Sequence, residues 1–148
     1  MLLPIYVFLF LKLGNFHVQL WDEGWFTVHA VEMHQQGSWL VTYFDGKPSL
    51  TSTKPPLQTW MQIGFIELLG ISELAVRLPS AIAAAITVLL LFFFSRKHLN
   101  HSIAFMASLI LLTSNGFVHF HTARGAEADA LITLSLMIQA FLCFNYVR

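Results

Sequence analysis

Long apolar runs alternate along this chain with one extended polar stretch. Leu2 to Leu20 is apolar apart from Lys12, Asn15 and His17, Leu78 to Phe94 carries no charge, and Ile103 to Val118 and Ala130 to Tyr146 are apolar again. About twenty apolar residues cross the hydrocarbon of a bilayer, with about 17 at the short end. The pattern therefore predicts spans over 2–20, 78–94, 103–118 and 130–146. The last three are joined by short connections that make them antiparallel neighbours. Lys12 lies near the middle of the first run and costs about 3 kcal/mol on insertion. It must face other helices or snorkel, unless the first helix starts upstream of Met1.

Residues 21–77 break the apolar pattern. Trp21, Trp25, Phe26, Trp39, Tyr43 and Phe44 give this segment an aromatic content that disordered chains lack. Trp25, Phe26, Ala30 and Met33 share one side of a helix that Gly37 stops. Trp39 to Phe44 is rich in β-formers, and Asp45-Gly46-Lys47-Pro48 is a turn signal. Pro55-Pro56 forces an extended approach to a second helix, whose positions Leu57, Trp60, Met61, Gly64, Phe65 and Leu68 follow helical spacing up to Gly70. That helix is too short to span, so it is expected to lie in the interface with Gln58, Gln62 and Glu67 toward water. The fold class is then all-α integral membrane: about four transmembrane helices, with two interfacial juxtamembrane helices in a first outer loop, 21–77.

Composition supports this class. Of 148 residues, 56% are hydrophobic and 11% charged, against about 25% charged in a soluble domain. Lys+Arg and Asp+Glu are each 8, and no basic cluster offers a nucleic-acid footprint. The N-terminus lacks the basic region and cleavage site of a signal peptide and is expected to be a retained helix. Cys143, the single cysteine, is expected to be an inert buried thiol. Arg96-Lys97 between the second and third spans, together with Arg148, places that side in the cytoplasm by the positive-inside rule. Loops 21–77 and 119–129 then face outward, on a multi-pass protein of the cell (inner) membrane.

Five segments occur in a distinctive order: Trp21-Asp22-Glu23-Gly24-Trp25, Tyr43-Phe44-Asp45-Gly46-Lys47-Pro48, Thr53-Lys54-Pro55-Pro56-Leu57, Glu73-Leu74-Ala75-Val76-Arg77-Leu78-Pro79-Ser80-Ala81 and Ala123-Arg124-Gly125-Ala126-Glu127-Ala128-Asp129-Ala130-Leu131. In this the chain resembles the membrane glycosyltransferases of the protein mannosyltransferase and aminoarabinose transferase type, over the N-terminal part of that family's longer chain. The resemblance implies a GT-C architecture and transfer of a sugar from a polyprenyl-phosphate-linked donor to an acceptor at the outer face, with inversion. It assigns Asp22 as base or acceptor-orienting carboxylate, with Glu23 beside it. Lys54 would contact the lipid-linked phosphate, and Glu127 and Asp129 would complete the site. Where many members carry Thr-Gly-Asp after the arginine, this chain has Gly125-Ala126-Glu127. As a fragment of such an enzyme, these 148 residues are expected to be inactive alone.

The chemistry suits these residues. An acceptor hydroxyl loses its proton as it attacks the anomeric carbon, and the departing phosphate gathers charge that a cation neutralises. Each residue also has a plainer reading. Asp22 would merely cap the helix beginning at Glu23; Lys54 would be a loop lysine; Arg124 would bind an anion at a helix start or simply pair with Glu127 or Asp129. His119, His121 and Asp129, with Glu127, form a candidate divalent-metal set of loose spacing, and no cofactor is otherwise implied. Expected partners are the polyprenyl-phosphate-linked donor, membrane lipids and an acceptor that the sequence does not identify. The competing class is a noncatalytic polytopic membrane protein, a transporter piece or assembly partner.

Overall fold

The computed structural model describes every residue except 51–53, 120, 121 and 148, so Thr53, His121 and Arg148 lie outside the described residues. The chain runs through α1 (Leu2–Ile5), a π-helical turn (Tyr6–Phe10), α2 (Asp22–Gln36), β1 (Tyr43–Phe44), β2 (Lys47–Pro48), α3 (Leu57–Leu69), α4 (Glu73–His98), α5 (His101–Thr113), α6 (Asn115–Val118) and α7 (Asp129–Val147).

The longest charge-free run becomes the axis. At 26 residues, α4 is roughly 39 Å long at 1.5 Å per residue, more than the hydrocarbon thickness. Its start is capped by the Ser72 hydroxyl, which accepts from Ala75 N at 3.3 Å. Glu73 in the first turn and Arg96, Lys97 and His98 in the last complement the helix dipole. α3, α5 and α7 all pack on it. Ala81, Ala83 and Ala84 are buried, and such small side chains let helix backbones approach closely. One apolar cluster joins Ile5 and Leu9 to Ala84, Val88, Leu112, Phe117 and Ala130. A second, within the 21–77 loop, joins Ala30 and Met33 of α2 to Ile63 and Ile66 of α3 and Val76 of α4. α4 and α7 are long and apolar enough to cross a membrane.

The loop of residues 21–77 is folded. Gly37 ends α2 in the left-handed conformation. β1 and β2 form an antiparallel hairpin with Phe44 opposite Lys47. At its turn Asp45 and Gly46 have φ of 55° and 70°, and both N–H groups donate to the Glu32 carboxylate, at 2.9 and 3.0 Å. Trp60 Nε1 reaches back to the Trp39 carbonyl at 2.6 Å, tying α3 to the segment before the hairpin.

Several expectations are corrected. Helix at the N-terminus stops at Phe10 rather than continuing to Leu20; nine residues make roughly 14 Å, and Lys12 then turns the chain with φ 57°. The run 103–118 is two helices broken at Ser114. Only Tyr43–Phe44 of the 39–44 stretch is strand. On α3 Glu67 is exposed as expected, but Gln58 and Gln62 point the other way from the interfacial expectation: both are buried while Leu57 and Leu68 are exposed. Inside, the two amide nitrogens donate to Ser80 Oγ and to the Val76 and Ala126 carbonyls. Cys143 is exposed on α7 rather than buried.

Candidate functional site

The adjacent acids Asp22 and Glu23 start α2 about 100° apart around its axis, and the structure gives them opposite surroundings. Glu23 is 3% exposed, as is Arg77 of α4. Arg77 Nε donates to Glu23 Oε1 at 2.6 Å and Nη2 to Oε2 at 3.2 Å. The remaining guanidinium hydrogens go to main-chain carbonyls: Nη1 to Leu13 at 3.0 Å and Phe16 at 2.7 Å, and Nη2 to His17 at 2.9 Å. All five donors of the guanidinium are thereby used. Glu23 is filled from its side too, because Gln19 N donates to Oε2 at 2.8 Å and Ala126 N to Oε1 at 3.1 Å.

The same region fixes the segment before α7. Gln62 Nε2 donates to the Ala126 carbonyl at 3.0 Å and to the Val76 carbonyl at 3.1 Å. Val76 is three residues before Pro79, whose missing N–H and ring disturb the helical bonding of this turn. Ser80 Oγ donates to the Glu127 carbonyl at 2.8 Å and accepts from Gln58 Nε2 at 3.0 Å. Residues 126–127 are thus held by side chains from α2, α3 and α4. Arg124 Nη1 donates to the Phe8 carbonyl at 3.0 Å and Nη2 to the Leu11 carbonyl at 2.9 Å. Burial, and after it the nearby Arg77 charge, pull the Arg124 guanidinium below the usual arginine value.

Asp22 stands on the other side of the α2 start and is exposed. No side chain caps this helix, so the capping role for Asp22 is not realised. Its carboxylate instead meets Lys54 Nζ at 2.9 Å, and the ammonium also lies 4.8 Å from the centre of the Phe26 ring. Asp22 and Lys54, 32 positions apart in sequence, are therefore brought together. Their side chains retain 55% and 38% exposure. An ion pair so exposed contributes about 0–1 kcal/mol, and opens at little cost.

The other predicted residues divide. Glu23, Arg124, Glu127 and His119 line one cavity of about 310 Å³ with Arg77 and Gln19. Asp129 is exposed at the first turn of α7 and makes no ion pair among the described residues. Those residues also contain no group of three His, Cys, Asp or Glu side chains placed to hold a metal; His121 lies outside them. A second hollow, of about 300 Å³ and mostly apolar, is lined by Pro55, the residue after Lys54, with Leu57 and Gln58 of α3, and by Ala128, Leu131, Ile132 and Leu136.

Sequence reasoning missed Arg77, Gln62, Ser80 and His29. An arginine inside the helix that carries a membrane span was the available signal for Arg77, since such a charge needs a partner. Nothing in the periodicity marks Gln62 or Ser80. His29 is 2% exposed, 4.6 Å from the Trp25 ring, and neither ring nitrogen has a hydrogen-bond partner among the described residues. Burial lowers its pKa against the raising influence of Glu32.

Comparison with known proteins adds relatives. An uncharacterized protein of Aquifex aeolicus is 24% identical over 98% of this chain and 28% of its own length. The undecaprenyl phosphate-alpha-4-amino-4-deoxy-L-arabinose arabinosyl transferase of Aeromonas hydrophila is 31% identical over 99% of this chain and 26% of its own. The crystal structure of ArnT from Cupriavidus metallidurans, bound to undecaprenyl phosphate, superposes with a TM-score of 0.81 at 21% identity, covering 92% of this chain and 24% of that one. The chain thus spans about a quarter of the length of the relatives it matches, and it shares the fold of the corresponding part of the Cupriavidus structure. Residues 53–148 match the family described as dolichyl-phosphate-mannose-protein mannosyltransferase, and the chain belongs to that family.

Proposed function

We propose that this chain supplies the donor-phosphate and base groups of an inverting membrane glycosyltransferase, which moves a sugar from a polyprenyl-phosphate-linked donor to a hydroxyl-bearing acceptor at the outer face. The observation that carries this reading is the contact of Asp22 with Lys54 at 2.9 Å. A base and a phosphate partner are thereby within one ligand's reach, at the end of an apolar hollow. Two relatives fit the reading: the Aeromonas protein is named as an undecaprenyl-phosphate aminoarabinose transferase, and the Cupriavidus structure holds undecaprenyl phosphate.

In the reaction, the acceptor oxygen bonds to the anomeric carbon as the bond from that carbon to the phosphate oxygen breaks, and its electron pair leaves with the phosphate. Asp22 receives the acceptor proton, and Lys54 balances the charge gathering on the phosphate. With no ligand bound the two groups neutralise each other. An arriving phosphate takes Lys54 and leaves Asp22 as a free base. The polyprenyl chain lies along the hollow lined by Pro55, Leu57, Leu131 and Leu136. Glu23, its acceptor sites occupied by Arg77 and two main-chain N–H groups, holds Asp22 in place and takes no proton.

The test is donor dependence in the intact protein, reconstituted with a polyprenyl-phosphate-linked sugar. A hydrogen bond to a charged group is worth about 1.5–3 kcal/mol, so Lys54→Ala should raise the donor KM about ten- to a hundredfold. An unchanged donor KM would refute Lys54 as the phosphate partner, and a wild-type protein that transfers no sugar would return the chain to the noncatalytic reading.

A further inference from the structure

The stretch from Leu11 to Trp21, which delivers Asp22, has almost no regular secondary structure. Its main-chain bonding is supplied largely by two arginines distant in sequence. Arg124 takes the carbonyls of Phe8 and Leu11, and Arg77 those of Leu13, Phe16 and His17. At its far end Trp21 has φ 77° and ψ −132°, a conformation that a bulky side chain rarely adopts. Such a residue persists only where its surroundings over-determine it, and it sits directly before Asp22. Gly14 helps to seat the stretch, since a Cβ there would meet Leu74 Cβ at 3.0 Å.

We propose that Arg77 and Arg124 form a clamp that positions Asp22, by holding five carbonyls spread over residues 8–17, and that Arg124 acts through this clamp and does not bind the donor phosphate. The inference rests on the function proposed above only for its catalytic readout. It reassigns Arg124 from the anion-binding role that its place before a helix suggested. The two arms differ in strength. Arg77 is buried with every donor occupied, whereas Arg124 is half-buried and spends two donors on the clamp. Arg124 is therefore the arm that can be removed without unpairing a buried carboxylate. A guanidinium offers its two bonds from a rigid planar fork that a lysine ammonium does not reproduce.

The experiment uses the intact protein in lipid with Arg124→Gln and Arg124→Lys. A displacement near 1 Å can cost on the order of a hundredfold in rate, so both variants should lose about ten- to a hundredfold in kcat, to a similar extent, with the donor KM within about twofold of wild type. A phosphate ligand would behave otherwise: Lys would restore most of the activity, and Gln would raise the donor KM. That pattern overturns the proposal. Hydrogen exchange gives the second readout. In Arg124→Gln the amides of Leu11 to Leu20 should exchange at least about tenfold faster while those of α3 keep wild-type rates. Unchanged exchange in the 11–20 stretch also overturns the clamp, and faster exchange throughout the protein would mark a folding defect and count against a local role. Exchange needs no turnover, so it decides the clamp even where the wild-type protein transfers no sugar and the function proposed above has failed.

Discussion

Replacing Glu23 by glutamine changes one atom, yet it should be among the most damaging substitutions in this chain. In the native site the two carboxylate oxygens accept four hydrogen bonds, from Arg77 Nε, Arg77 Nη2, Gln19 N and Ala126 N. An amide has one oxygen, so whichever way it turns, an N–H₂ group faces two of these donors. The Arg77 charge also loses its counter-ion at a site only 3% exposed. Removing one partner of a buried, hydrogen-bonded pair costs about 3–5 kcal/mol, a large part of a total stability of about 5–15 kcal/mol. The neighbouring Asp22→Asn breaks only an exposed pair and should cost under about 1 kcal/mol. All four tryptophans, Trp21, Trp25, Trp39 and Trp60, lie in the 21–77 loop, so their fluorescence during denaturant titration in detergent reports this region. A loss below about 1 kcal/mol in Glu23→Gln, or equal losses in the two variants, would refute the description of Glu23 as the buried anchor.

Two further outcomes follow from other parts of the structure. His29 has a folded pKa below its usual value, chiefly through burial; the unfolded chain binds a proton near pH 6.5 that the folded chain resists. Stability should be full above about pH 6.5 and fall as the pH drops toward the folded value, by up to about 1.4 kcal/mol per unit, and His29→Phe should flatten that fall in the same tryptophan assay. For orientation, a cysteine at Lys47 should react with a membrane-impermeant thiol reagent from outside intact cells and one at Lys97 should not, in a background where Cys143 is replaced; equal labelling or the reverse contradicts the outward-facing loop.

The helices α4 and α7 were legible because length and hydropathy alone decide them, as Leu78 to Phe94 within α4 illustrates. Gly37, Asp45-Gly46 and Gly70 marked turns because their backbone angles demand particular residues. The failures share a cause. Helix at the N-terminus ends at Phe10 because Arg77 and Arg124, 60 to 116 positions away, accept its chain into a non-helical path through their carbonyl bonds, and no local pattern encodes a distant donor. Gln58 and Gln62 were placed toward water by their polarity, whereas Ser80, Val76 and Ala126 await them inside. Asp22 and Lys54 were each visible as motif residues, but their 2.9 Å contact depends on how α2 and the segment before α3 pack. The sequence also treated Asp22 and Glu23 as one acidic pair. A helix separates them by about 100°, and that rotation buries Glu23 against Arg77 and turns Asp22 outward to Lys54.

The central claim is that Asp22 is the carboxylate that takes the acceptor's proton. Its most direct test is the turnover of Asp22→Asn in the intact protein, reconstituted with a polyprenyl-phosphate-linked sugar and scored beside its abundance and its tryptophan unfolding midpoint. A general base contributes typically about 10²–10⁴-fold, so turnover should fall by about that factor while abundance and midpoint stay at wild-type values. Ordinary turnover in a normally abundant Asp22→Asn protein would contradict the account.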